Sequence, residues 1–132
     1  MKSLVYLEHY HGALEKGGLG VLGKAASLGD AVGVVLGEGA SEIAGGAGAF
    51  GATKVYACDV PELASPLPQP RVDALAALVE QTSPDAVLFG ASVLSADVAA
   101  GLAARLDAGL NWDLTDLVQQ DGNAGDLVLQ AA

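Results

Sequence analysis

The chain has 132 residues, 52% of them hydrophobic, which fits one domain with a buried core rather than two domains. Sixteen acidic and six basic side chains give a formal net charge of −10, which argues against binding to nucleic acid or to an anionic membrane surface. The single cysteine, Cys58, cannot form an internal disulfide. No run approaches the roughly 20 apolar residues of a membrane span, and the apolar run after Lys2 is too short for a signal peptide. We therefore expect a soluble, cytosolic domain.

The first half of the chain predicts three short strands separated by two helices. Apolar runs rich in β-branched residues predict the strands, and apolar spacing, an N-cap and closing glycines predict the helices. In chain order they are a strand at Leu4–Leu7, a helix at Leu19–Leu28 closed by Gly29, a strand at Ala31–Leu36, a weak glycine-rich helix from Ser41 as N-cap to near Gly51, and a strand at Lys54–Cys58.

The second half begins with a proline cluster from Pro61 to Pro70, which predicts a surface connection without helix or central strand. The clearest helix follows, with Pro70 in its first turn and Pro84 after its end. The remaining predicted elements are a strand at Ala86–Phe89, a helix at Ala96–Leu106, and two β-like pieces at Leu114–Val118 and Leu127–Leu129 around an Asp121–Asn123 turn.

This alternation of strands and helices predicts an α/β fold in three layers, with a parallel sheet covered by helices on both faces. Right-handed crossovers favour the strand order 3-2-1-4-5, which has a switch point between the first and fourth strands. Ligands in such sheets bind at the carboxyl ends of the strands beside the switch point. Here those ends are Glu8–His9 and Gly90–Ser92.

The polar segment after the first strand has residue types that could carry chemistry. A metal site needs at least three converging ligands, and His9 and His11 supply only two, so we expect no metal. Ser92 lacks the Gly-x-Ser-x-Gly context of a nucleophile, and Cys58 lacks positive neighbours that would activate its thiol. We predict no catalytic constellation, and ordinary hydrogen bonds for Glu8 and His9.

Glycine-rich stretches offer no recognised phosphate loop, because neither the dinucleotide fingerprint nor a P-loop is present. The segment Gly90–Ser92 follows a strand and precedes a helix, where backbone amides and the Ser92 hydroxyl could face an anion. The alternative is a plain strand-to-helix turn with Ser92 or Ser95 as the cap. The residues leave both interpretations open.

Four collinear blocks of sequence resemble the electron transfer flavoprotein α subunit. They are Leu4–His9 with Gly12–Leu14, Gly51–Tyr56, Ser83–Ser92, and Gly101–Leu110 followed by Asp113 and Asp116. The resemblance covers about Leu4 to Val118. It implies that residues 1–132 are the single N-terminal domain of such a subunit, with a Rossmann-like fold of the adenine-nucleotide α-hydrolase-like kind. On this resemblance, we expect the family's C-terminal FAD-binding domain to be absent from this chain.

The resemblance also implies a function. The complete family protein is an αβ heterodimer that passes electrons from flavin dehydrogenases, such as the acyl-CoA dehydrogenases of fatty acid β-oxidation, to a quinone oxidoreductase. This domain is then expected to be part of an electron carrier and not an enzyme. It is expected to hold no FAD and to scaffold the heterodimer. The expected location is the cytoplasm, or the mitochondrial matrix if the source is eukaryotic, although no transit peptide is seen. AMP is expected on the β subunit, with a vestigial counterpart here at Glu8, His9, Gly90, Ala91 and Ser92.

A second hypothesis, from the switch-point geometry, is a stand-alone nucleotide-binding module of the universal-stress type. We further expect the isolated chain to self-associate through its open sheet edge and the region around Trp112, or to bind a β subunit tightly.

Overall fold

The computed structural model describes residues 2–10, 12–63, 65, 67–90 and 92–110. Within these ranges, strands and helices alternate as the sequence predicts. In chain order the elements are β1 (Lys2–Leu7), β2 (His9–Tyr10), β3 (Ala13–Leu14), α1 (Lys16–Leu28), β4 (Asp30–Leu36), α2 (Ala40–Ile43), a 3₁₀ helix at Ala44–Phe50, β5 (Lys54–Cys58), a 3₁₀ helix at Pro61–Leu63, α3 (Pro68–Thr82), β6 (Ala86–Phe89) and α4 (Val93–Leu106).

The central sheet is parallel throughout, in the order β5-β4-β1-β6. In chain order of its four strands this is 3-2-1-4, so the predicted α/β fold and this part of the predicted strand order are confirmed. The predicted fifth strand, Leu114–Val118, and the piece at Leu127–Leu129 lie outside the described residues. In the described part of the chain, no helix has the length and apolar character needed to cross a bilayer.

Two apolar cores lie on opposite faces of the sheet because the side chains of β1 alternate. Val5 and Leu7 pack into a core with Leu22 of α1. Leu4 and Tyr6 pack into the other core, which holds side chains of α3 and α4. The three layers are therefore helices, sheet and helices, with β1 buried on both sides from Ser3 to Leu7.

Helix starts differ from the predictions at three places. α1 begins at Lys16, so it contains Gly17 and Gly18, and α4 begins at Val93 rather than Ala96. Ser41 is not an N-cap: it lies inside the short α2, whose N-cap is Gly39 at φ 79°. A left-handed backbone favours glycine, so the chain turns into this helix two residues before the serine.

The expectation that the proline-rich segment contains no helix is wrong. A 3₁₀ helix covers Pro61–Leu63, and α3 begins at Pro68, so Pro70 lies in its first turn as predicted. Proline is compatible with the first turn of a helix, where an N–H group has no intrahelical partner to lose. Buried Arg71 of α3 also ties this connection down through the carbonyl oxygens of Leu63, Ser65 and Leu67, at 3.2, 2.8 and 3.0 Å.

A two-stranded hairpin after β1 was not predicted. Its strands β2 and β3 pair antiparallel, with His9 opposite Leu14 and Tyr10 opposite Ala13. Gly12, at φ 77°, provides the left-handed residue of the turn between them. The hairpin returns the chain to the carboxyl edge of the sheet, where the amide of Glu15 donates to the Glu8 carbonyl oxygen at 2.9 Å.

Candidate functional site

A pocket with an empty volume of about 400 Å³ lies at the switch point of the sheet. β1 leads towards α1 on one face, whereas β6 leads into α4 on the other, so the two helices diverge there. The carboxyl ends of β1 and β6 and the first turns of both helices surround the pocket. Its lining residues are Tyr6, Glu8, Tyr10, Glu15, Gly17, Gly18, Gly90, Ser92 and Ser95.

The Glu8 side chain is the centre of the hydrogen bonding in this pocket. One carboxylate oxygen, Oε1, accepts hydrogen bonds from the hydroxyl groups of Ser92 and Ser95. The other oxygen, Oε2, accepts one from the Tyr10 hydroxyl at 2.5 Å. Glu8 is only 8% exposed, so three hydroxyl groups replace most of the water that a free carboxylate would bind.

These contacts set the ionisation of the site. Burial alone raises the pKa of the Glu8 carboxyl, but the hydroxyl hydrogen bonds, with a further one from the Ser95 backbone, outweigh it and hold the pKa below 4.5. The same carboxylate accepts the Tyr10 proton in a hydrogen bond and raises the pKa of Tyr10 to about 12. At neutral pH the pocket therefore contains a carboxylate anion and a neutral phenol.

α4 supplies two of the three hydroxyl groups because of how it begins. Ser92 is the N-cap, and its Oγ accepts a hydrogen bond from the Ser95 amide at 2.9 Å. Of the two interpretations of Gly90–Ser92, the cap is therefore confirmed. Since Ser95 lies three residues further on, in the first turn, both hydroxyls face the end of β1.

The first turn of α1 approaches the other side of the pocket through glycines. A Cβ added at Gly90 would lie 2.9 Å from the nitrogen of Gly18 and 3.2 Å from the carbonyl carbon of Gly17. A Cβ at Gly18 would in turn lie 3.3 Å from a methyl group of Leu7. The close approach of α1 to β1 and β6 therefore requires residues without side chains here.

The residues that the sequence placed at the switch point do not all line the pocket. Glu8, Gly90 and Ser92 come together there, whereas His9 Nε2 lies 2.9 Å from the carbonyl oxygen of Leu36, at the end of β4. Ala91 is outside the described residues. Ordinary hydrogen bonds for Glu8 and His9, as predicted, are confirmed.

Sequence reasoning did not place six of the lining residues in this pocket: Tyr6, Tyr10, Glu15, Gly17, Gly18 and Ser95. The signal for Tyr10 was its position two residues after Glu8, on the same side of an extended chain. The signal for the glycines was their concentration directly before an apolar helical pattern.

The chemistry that these groups can perform is limited by how they are paired. A carboxylate with a lowered pKa is a weak general base near neutral pH. The Ser92 hydroxyl donates to that carboxylate and accepts from the Ser95 amide, and the described lining of the pocket contains no histidine. No group of three or more potential metal ligands occurs within the described ranges, and His11 lies outside them.

The fold and the pocket define a parallel α/β domain of the Rossmann-like kind, with a carboxylate at its switch point. Residues 3–131 match the family model described as Electron transfer flavoprotein domain. The electron transfer flavoprotein subunit alpha of Mycobacterium tuberculosis (strain H37Rv) is 36% identical over 124 residues, covering 92% of this chain and 38% of the relative. This chain belongs to the electron transfer flavoprotein family.

Two further relatives carry other names. Protein FixB of Rhizobium meliloti is 33% identical over 129 residues, covering 90% of this chain and 36% of the relative. The acryloyl-CoA reductase electron transfer subunit beta of Anaerotignum propionicum is 38% identical over 86 residues, covering 65% of this chain and 23% of the relative. The chain spans less than two fifths of the length of each of these relatives. The resemblance to the electron transfer flavoprotein α subunit that the sequence showed is confirmed.

Proposed function

We propose that this chain is the N-terminal domain of an electron transfer flavoprotein α subunit and that it scaffolds an αβ heterodimer. The collinear match over residues 3–131 carries this proposal. The complete protein then shuttles electrons from flavin dehydrogenases, such as acyl-CoA dehydrogenases, to a quinone oxidoreductase, in the cytoplasm of a bacterium. Two of the relatives are named as an electron transfer flavoprotein subunit and an electron transfer subunit, which favours a carrier rather than an enzyme.

The flavin of such a protein does not fit the described residues. Glu8 and Glu15 place two carboxylates on the wall of the switch-point pocket, and its described lining contains no lysine or arginine to receive a pyrophosphate. FAD would therefore be held outside this domain. The purified chain should be colourless, and a tightly bound, stoichiometric FAD on it alone would contradict the scaffold role.

Exposed apolar side chains support a docking surface at the carboxyl edge of the sheet. Of the six large hydrophobic residues that are exposed among those described, four lie next to strand ends or helix starts at this edge: Tyr10, Val60, Leu67 and Val93. Val93, the first residue of α4, is 83% exposed. We name these four residues the carboxyl-edge patch and propose that this patch contacts the β subunit.

Binding to the β subunit encoded in the same genome tests this proposal. We expect a one-to-one complex by light scattering, and a loss of about tenfold or more in affinity, or 1.4 kcal/mol, for Val93→Asp. Aspartate is favourable in the first turn of a helix, so this variant should remain folded. Leu106→Asp, with the same added charge at the far end of α4, is the control and should bind normally.

Failure of the wild-type chain to bind the β subunit would contradict the scaffold role. Equal losses for the two variants would remove the carboxyl-edge patch from the interface while leaving the scaffold role standing. Without a β subunit, the same patch should drive self-association, visible by sedimentation velocity at micromolar concentration. Trp112, the other residue expected in this contact, lies outside the described residues.

The position of the pocket favours a second candidate function, a stand-alone nucleotide-binding module. In an open parallel sheet, the switch point is where nucleotides usually bind. In the family setting, the same pocket, with Glu8, His9, Gly90, Ala91 and Ser92 as its expected residues, would be a vestige of an AMP site that is used on the β subunit. Titration with AMP and ATP separates the two, because a vestigial pocket takes up neither.

A further inference from the structure

We propose that the Glu8 carboxylate occupies the anion position at the start of α4 and thereby excludes phosphate-bearing ligands from the switch-point pocket. Glu8 is then the residue that determines which ligands this pocket rejects. The inference depends on the geometry and the charge of the pocket. It stands whether or not the chain scaffolds a heterodimer.

The first step is the set of donors at the start of α4. In nucleotide-binding domains, the amide and hydroxyl groups of such a helix start receive a phosphate. Here the hydroxyl groups of Ser92 and Ser95 both donate to Glu8 Oε1. The Ser95 amide donates to Ser92 Oγ at 2.9 Å, so the amide and both hydroxyl groups already have acceptors from the protein itself, and the anion among these is Glu8.

The second step is that this internal anion cannot easily leave. Glu8 directly follows β1, the central strand, whose residues are buried on both faces, so its backbone is fixed. The Tyr10 hydroxyl holds the second oxygen, Oε2, at 2.5 Å and comes from the hairpin that folds back over the strand end. Both oxygens are therefore anchored, from two different elements.

The third step is the charge that an incoming phosphate would meet. With its pKa below 4.5, the Glu8 carboxyl is ionised at neutral pH. Glu15, the N-cap of α1, lines the same pocket, whose described lining contains neither lysine nor arginine. A phosphate would have to displace a hydrogen-bonded carboxylate of its own sign, and no lysine or arginine of the described lining would compensate for it.

Removal of the carboxylate should therefore create a phosphate site. We would titrate inorganic phosphate and AMP into the wild-type chain and into Glu8→Ala by calorimetry, and follow the backbone amides by NMR. The wild type should show no binding at millimolar ligand, whereas Glu8→Ala should bind inorganic phosphate at least about tenfold more tightly, with shifts at Ser92 and Ser95. Glu80→Ala, which removes an equal charge near the far end of α3, is the control and should behave as wild type.

Three results would overturn the proposal. They are binding of phosphate or AMP by the wild type at Ser92 and Ser95, absence of phosphate binding by folded Glu8→Ala, and an equal gain in Glu80→Ala. If Glu8→Ala fails to fold by circular dichroism, Glu8→Gln replaces it and is judged by the same results. It keeps an acceptor oxygen for the serine hydroxyls but lacks the charge, so a smaller gain over wild type is expected. None of these outcomes bears on β-subunit binding, which is measured separately.

Discussion

Replacement of Gly90 by alanine should destabilise the domain, because the new methyl group has no space. It would lie 2.9 Å from the nitrogen and 3.3 Å from the Cα of Gly18, and 3.2 Å from the carbonyl carbon of Gly17. Carbon contacts are optimal at about 3.5–4.0 Å, so the first turn of α1 would have to move by roughly half an ångström. All three atoms belong to the backbone, and no side chain can rotate away to relieve the contact.

The expected cost follows from overpacking, which destabilises by about 1–3 kcal/mol. The lost freedom of the glycine in the unfolded chain offsets about 0.4–1 kcal/mol of this cost, and the midpoints of the two ranges leave a net loss of about 1.3 kcal/mol. For a chain of 132 residues, this corresponds to a fall of about 3–8 °C in Tm, measured by calorimetry.

Gly20→Ala is the matched control, because it makes the same substitution in α1 at a site with no atom within 4 Å. Alanine there should stabilise the helix by about 0.5–1 kcal/mol and raise Tm. The two changes therefore have opposite signs for a structural reason. A Gly90→Ala protein as stable as wild type would refute the close approach of α1 to the end of β6.

Three further predictions concern hydrogen bonds, two of them in the switch-point pocket and one in the proline-rich connection. The pKa of Tyr10, measured by ultraviolet absorbance and assigned with Tyr10→Phe, should be about 12, and it should fall towards 10.0 in Glu8→Gln. A Tyr10 pKa near 10.0 in the wild type would contradict the contact with Glu8. Because the folded-state pKa of Glu8 lies below its ordinary value of 4.5, its stabilisation is complete above that pH and is lost as the pH falls through the folded-state value. In urea denaturation, the stability advantage of wild type over Glu8→Gln should therefore shrink in acid, and an advantage independent of pH would be inconsistent with this linkage. Arg71→Met should lower the free energy of unfolding by about 1–3 kcal/mol and speed proteolysis between Leu63 and Leu67, because three carbonyl oxygens lose their hydrogen-bond donor. An unchanged rate of proteolysis would argue against a stabilising role for these three hydrogen bonds.

The chain pattern alone determined the layers, the four strands and most of the strand order. Apolar runs such as Ala31–Leu36 predict strands that are buried on both faces, and parallel strands joined by helices allow few arrangements. That topology was also enough to bring Glu8 near Ser92, because both follow strands that end at the same edge. The collinear blocks of sequence were enough to suggest the family.

Only the tertiary structure decided where α1 begins and which groups the Glu8 carboxylate contacts. Helix propensity argues against starting α1 at Lys16, with Gly17 and Gly18 in its first turn. That local cost is offset because a residue with a side chain at position 18 would press on Leu7 of β1, and one at Gly90 would press on the helix backbone. Such contacts join residues far apart in the chain, and no local periodicity reports them.

The hydrogen bond from Tyr10 to Glu8 also depends on contacts that only the tertiary structure creates. A turn through Gly12 folds the hairpin back on the strand end, and this places the phenol on a carboxylate that α4 holds from the other side. Sequence spacing identified the polar residues, but their pairing required three elements to meet at one edge of the sheet. Short-range patterns set the elements of this domain, whereas the charge and occupancy of its pocket depend on contacts across more than 80 residues of chain.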